Sequence, residues 1–265
     1  MRKIVDKYFN FFEAAIDNYS LPRRFTFPFQ YHPHPLCILA SQELQHHLSH
    51  QRDWQHNFGL KHGVEGKIVG KMFGVLVVKN EQNEVGYLAA FSGKLAGGNH
   101  HERFVPPVFD GLTEGSFVNE GMTELTLICK SIVDLEESKT PDSMVQAQIL
   151  KEKRGQHSAA LQERIFDQYA FLNQAGQSLS LRSIFKSRLY RNPPGGAGEC
   201  AAPKLLQYAF MQNMHPIAMA EFWWGQSPKT EQWKHREFYP ACSEKCGPIL
   251  AHMLEGIELD APLRK

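Results

Sequence analysis

The sequence has no surplus of charge. Among 265 residues, 29 lysines and arginines stand against 28 aspartates and glutamates, a net charge of +1. A global basic field that would draw in nucleic acid is excluded, so any RNA or DNA contact must come from a local patch. Long apolar runs are also missing: no window approaches the roughly eighteen uninterrupted apolar residues of a membrane-spanning helix. The opening stretch MRKIVDKYFNFFEAAI carries charges through its apolar part. It reads as an amphipathic helix, not as a secretory leader. Cysteine is scarce and odd in number, at five. That argues against a disulfide framework and for reduced thiols in a cytoplasmic protein, or for a metal site. Internal repeats, low-complexity tracts and the G-x-S-x-G elbow are absent. FSGKLAGG (91–98) lacks the spacing of a phosphate-cradling loop.

What is present is an ordinary globular composition, 42% hydrophobic and 22% charged, on a chain long enough to bury a real core. Residues 1–35 should hold a short helix and then an extended run broken by Pro22, Pro28, Pro33 and Pro35. Residues 36–56 show a helical apolar stripe with a histidine-rich polar face. KMFGVLVV (71–78) and VGYLAAFS (85–92) flank the polar turn KNEQNE and predict a β-hairpin. Both strands are apolar on both faces, which suits the centre of a helix-covered sheet. Residues 118–194 turn rich in Glu, Lys, Gln and Arg, and Pro141 divides them into two helices, an inserted helical hairpin or interaction arm. A helix at 201–213, an apolar strand at 215–224 and a helix from near Cys242 complete the pattern. The expected fold is α/β (α+β), a three-layer core on a mixed sheet. The core comprises 36–117 and 195–258, the insertion 118–194, and 259–265 is a tail.

The candidate chemistry lies in GGAGECAAPKLLQYA (195–209) and YPACSEKCGPILAHML (239–254). Each places cysteine where a helix begins: Cys200 in one, Cys242 and Cys246 in the other. Zinc prefers deprotonated thiolates in a tetrahedron, and helix N-termini offer free N–H groups and a positive dipole end that favour thiolates. Cys242 and Cys246 are four residues apart and share a helical face. Three thiolates plus water would make an open zinc site. The other reading takes cysteine as a small buried hydrophobe. His46 and His50, also four apart, could chelate a metal or stand solvated. Asn99, His100 and His101 follow the second hairpin strand and could contact a nucleobase, supply a further ligand, or cap a polar loop. Trp224 in EFWWG offers a stacking face for unpaired bases, or core. Lys204, Arg188 and Arg191 are further candidate RNA contacts; the last two close a basic zone that also includes Lys151, Lys153, Arg154, Arg164, Arg182 and Lys186, with acidic residues interleaved.

The order hairpin, cysteine-headed helix, strand, P-x-C helix resembles the zinc deaminase fold, whose first motif is His or Cys followed by Ala-Glu and whose second is Pro-Cys-x-x-Cys. Cys200-Ala201 matches the first two positions, but Ala202 stands where the general acid/base glutamate belongs. Pro240-Ala-Cys242 and Cys246 carry one extra residue before and between the cysteines. Glu199 or Glu221 would have to move the proton instead.

Longer strings resemble something else. FTFPFQYHPHPLC, GKMFGVLVV, GYLAAFSGKLAGGNHH, GAGECAAPKLLQYAF, AMAEFWWG and FYPACSEKCGPIL are similar to the N-terminal extension of a subset of bacterial RluA-class pseudouridine synthases. The likeness covers about residues 20 to 258. It implies a synthase domain in cis as partner and structured RNA, ribosomal or transfer, as ligand. The H-R-L-D signature of that domain is absent: His235-Arg236 is followed by Glu237. The expected function is therefore an accessory RNA-binding module with a zinc or zinc-relic site. The alternatives are a zinc-dependent base or nucleotide deaminase or hydrolase, and a metal-free protein-interaction module.

Overall fold

The computed structural model describes residues 6–61, 63–186, 192–229 and 233–263. They form two units, residues 1–108 with 170–265 and residues 109–169.

The first unit is built on an antiparallel hairpin, β1 (Lys71–Lys79) and β2 (Val85–Phe91). A third strand, β5 (His215–Trp224), lies on the other side of β1, also antiparallel. A two-residue strand, β6 (Phe238–Tyr239), closes the order β2-β1-β5-β6. Every residue of β5 after His215 is buried, as an apolar strand at the centre of a covered sheet should be. The expected mixed sheet is corrected: all its ladders are antiparallel. β2 and β5 do run in the same direction, but β1 lies between them.

Side chains alternate across the sheet and recruit a different helix to each face. Phe73, Val75 and Val77 pack in one core with Leu36, Ala40, Leu44 and Leu48 of α1 (Pro35–His50). Proline at N1 and the His34 Nδ1 acceptor for the Leu36 N–H, at 3.2 Å, start that helix. On the other face lies α5 (Ala201–Met211), with α6 (Ser243–Met253) packed beside it. Gly74 makes the close seat possible: a Cβ there would stand 3.0 Å from both Ala201 Cβ and Leu205 Cδ1.

The amphipathic helix expected near the N-terminus is not found in residues 6–34. The described part is a series of turns and isolated bridges held by tertiary contacts instead. Asn10 and Tyr87 exchange backbone hydrogen bonds of 2.9 and 2.8 Å, and Phe9 is buried against Gly86. Residues 170–186 add a small hairpin, β3 (Ala170–Leu172) with β4 (Ser178–Ser180), and α4 (Leu181–Lys186) to this unit.

The second unit is a helical hairpin, α2 (Phe117–Ser138) and α3 (Pro141–Phe166), so the insertion occupies a narrower span than 118–194. Lys139 turns the chain at φ 52, and a reciprocal Thr140–Ser143 capping box with Pro141 at N1 restarts it. Among the described residues no helix is long and apolar enough to cross a membrane.

Candidate functional site

The two cysteine-headed helices do converge. Cys200 is the N-cap of α5 and makes no side-chain capping bond. Its place is taken by Glu221 of β5, whose Oε1 accepts the Ala202 N–H at 3.2 Å. Cys246, in the first turn and a half of α6, is fully buried and hydrogen-bonded to Cys200. That bond, then burial, then the charges of Cys200, Glu221 and Cys242 push its thiol well above the ordinary range. Cys242 is exposed and caps its own helix, its Sγ accepting the Lys245 N–H at 3.5 Å. Burial also drives the Glu221 carboxyl up to about 7, against the opposing effect of the Ala202 N–H. Its strand is pinned by Tyr31, whose hydroxyl accepts the Glu221 N–H at 3.0 Å and donates to the Tyr239 carbonyl at 2.9 Å.

Glu199 and Lys204 line the same end of α5. The Lys204 ammonium is 3% exposed, donates to the Phe91 and Gly93 carbonyls at 3.2 and 3.1 Å, and pairs with Glu199 at 3.6 Å. Burial lowers its pKa, and Glu199 and Cys200 oppose that shift. The cation proposed for RNA from sequence therefore faces inward and ties α5 to the loop after β2. Gly93 closes the link, its N–H donating to the Glu199 carbonyl at 2.8 Å.

The loop residues split. Asn99 is buried, His100 is exposed, and His101 donates through Nε2 to the Leu95 carbonyl at 2.7 Å while its ring packs on Trp54 and Phe91. The His46 and His50 rings lie tilted with centroids 4.2 Å apart, and His50 Nδ1–H donates to the His46 carbonyl. Arg188 and Arg191 lie outside the described residues. Cys200, Cys246 and Glu221 are thus brought together, with Cys242 at the rim. Among the described residues no group of three or more His, Cys, Asp or Glu is arranged to hold a metal ion. The thiol pair bonds within itself, and the third sulfur serves its own helix cap.

Trp224 belongs to a different place. It is buried in the core, the second of its two readings, and its edge meets a cleft of about 1130 Å³ between the end of α1, residues 51–61 and 63–65, and residues 235–236. Trp54 and His56 line it as well, and Arg52, Lys61 and Arg236 stand exposed on it. Arg236 holds a left-handed backbone, φ 71, and sets its guanidinium 5.5 Å from the Trp224 ring. Gly225 lets the strand end there. It sits at φ +113, and a Cβ would come within 2.8 Å of the Phe58 carbonyl. Sequence reasoning missed Arg52, Trp54, Lys61 and Arg236. The only local signal was aromatic and basic residues side by side in QRDWQH and QWKHRE.

No protein-family model, no curated protein and no solved structure matches this chain.

Proposed function

We propose that this chain is an RNA-binding accessory module of an RNA-modifying protein, and that it presents structured RNA, ribosomal or transfer, to a pseudouridine synthase domain. The observation that carries the RNA reading is the cleft. It combines the half-exposed aromatic ring of Trp54 with three exposed cationic side chains, Arg52, Lys61 and Arg236, and one exposed carboxylate, Glu65, over a floor to which the buried Trp224 contributes. Aromatic faces accept unpaired bases of any sequence, and arginine or lysine beside them neutralises the backbone. The volume accommodates unpaired nucleotides and exceeds the usual range for a drug-sized ligand. The choice of synthase as partner rests on the string resemblance.

The test is anisotropy of a labelled RNA hairpin with an unpaired loop, followed across a salt series. Affinity should fall steeply with salt, and Trp54→Ala or Arg236→Glu should weaken binding roughly tenfold or more, as loss of one stacked base or one phosphate contact predicts. Absent binding, salt-insensitive binding, or unchanged affinity in both variants would refute the reading.

Within this proposal the thiol cluster is the relic of a deaminase-type zinc site. The support is its topology: a cysteine-capped helix enters β5 and a second follows it, on a sheet whose hairpin precedes both. A second reading, a zinc-dependent base or nucleotide hydrolase, is favoured by Glu221 standing among the thiols. The three thiols do not form a metal site as they stand, so this reading requires Cys242 to leave its helix cap and join Cys200 and Cys246. Metal analysis of the purified chain, with Cys200→Ser as control, separates the two. Stoichiometric zinc lost in the variant supports the second reading, and a cytidine and adenosine deamination assay then tests it.

A further inference from the structure

The second unit exposes more large apolar side chains than it buries. Within α2 and α3 only Ile132, Leu161 and Phe166 are buried large hydrophobics. Met122, Leu127, Val133, Met144, Val145 and Ile149 are each more than half exposed. A helical pair stable on its own shows the reverse balance, because packing of its apolar faces supplies most of its stability. Leu127 on α2 and Met144 on α3 apart, the exposed residues share faces. Met122, Cys129 and Val133 follow i, i+7, i+11 spacing and share one face of α2, while Val145 and Ile149, four apart, share a face of α3. Val133, Met144, Val145 and Ile149 lie in the half of the hairpin nearest the turn at Lys139.

The charge pattern says what covers them. α2 carries Glu120, Glu124, Asp134, Glu136 and Glu137 against Lys130 alone. α3 carries Lys151, Lys153, Arg154 and Arg164 against Asp142, Glu152 and Glu163. One helix is strongly acidic and its neighbour mildly basic. The pair already uses this internally, in a Lys151–Glu136 bridge of 2.6 Å. A second copy of the same hairpin offers the same two helices and lets each α2 lie against a foreign α3. Two-fold symmetry needs such a self-complementary surface.

We infer that this hairpin is a homodimerisation arm, and that two copies of the chain pair through it into a four-helix bundle. Exposed apolar faces on both helices become the bundle core, and the acidic and basic helices alternate around it.

Sedimentation velocity over a wide concentration range tests this on the full chain. A dimer is expected that reverts to monomer in the double variant Val133→Glu, Val145→Glu, whereas Leu179→Glu in the first unit leaves it intact. Circular dichroism reports whether the double variant keeps its helices. An independent reading on the unaltered chain is alkylation of Cys129, the exposed thiol between Met122 and Val133. It should slow several-fold as concentration rises, while alkylation of the exposed Cys242 does not. A monomer at all concentrations, association only after RNA is added, or a dimer that survives the double variant would overturn the inference. RNA binding through the cleft is tested separately, so either proposal can fail alone.

Discussion

A carboxyl group buried to 4% exposure among thiols and apolar side chains has an unusual linkage to pH. Most native carboxylates are stabilised in their charged form and resist acid. Glu221 is the opposite case, because its folded-state pKa of about 7 lies above the ordinary value of 4.5. Between those values the folded chain holds a proton that the unfolded chain releases. Its stabilising contribution is therefore present at low pH and is lost as pH rises through about 7. Glu221→Gln, whose amide oxygen can still accept the Ala202 N–H, should remove this dependence. Above pH 7 the gain should be on the order of 3 kcal/mol, since each tenfold change in proton affinity is worth about 1.4 kcal/mol. Thermal unfolding at pH 5.5 and 8 reads it: a variant curve parallel to the parent at both pH values would contradict the assignment. Tyr31→Phe acts at the adjacent bond pair. It leaves the Glu221 N–H and the Tyr239 carbonyl without their shared hydroxyl and should cost about 1–3 kcal/mol in chemical denaturation.

At the scale of elements, α5 depends on a missing side chain. Gly74 leaves only 3.0 Å between a would-be Cβ and Leu205 Cδ1. Gly74→Val should push α5 off the sheet, cost about 1–3 kcal/mol by overpacking, and open the Cys200–Cys246 contact. Faster alkylation of Cys246 would report that opening. Helix α3 depends on its start. Thr140→Ala removes one half of the capping box and should cost about 1 kcal/mol, visible as a loss of helicity near the hairpin turn. Pro35, which opens α1, reads locally as the end of an extended run, whereas the start of α3 was legible in the sequence, since Pro141 is a local signal. The hairpin at 71–91 and the strand at 215–224 were legible for the same reason: a continuous apolar run bounded by polar turns needs no distant partner to be recognised. The N-terminal aromatic segment was not. Its apolar spacing suits a helix, but Phe9 and Asn10 find better partners on β2, and those lie far along the chain.

For the molecule as a whole, the five cysteines report which parts are shell and which are core. Cys129 and Cys242 are exposed, Cys200 is half-buried, and Cys37 and Cys246 are buried with thiol pKa values pushed up, by burial at Cys37 and first by the Cys200 bond at Cys246. Alkylation of the native monomeric chain should label the first two quickly, Cys200 slowly, and the last two only on unfolding. Rapid labelling of Cys37 would mean that α1 does not seal its face of the sheet. By itself the sequence determined the β-hairpin, the β5 strand, the divided helical pair and which cysteines head helices, because periodicity, capping and turn chemistry act over a few residues. Only the tertiary structure decided that β5 lies beside β1, that Glu221 replaces Cys200 as the cap of α5, and that Trp54 and Trp224 share one cleft. Those outcomes depend on strand order and on which face each side chain takes, and burial of the whole apolar surface selects both at once.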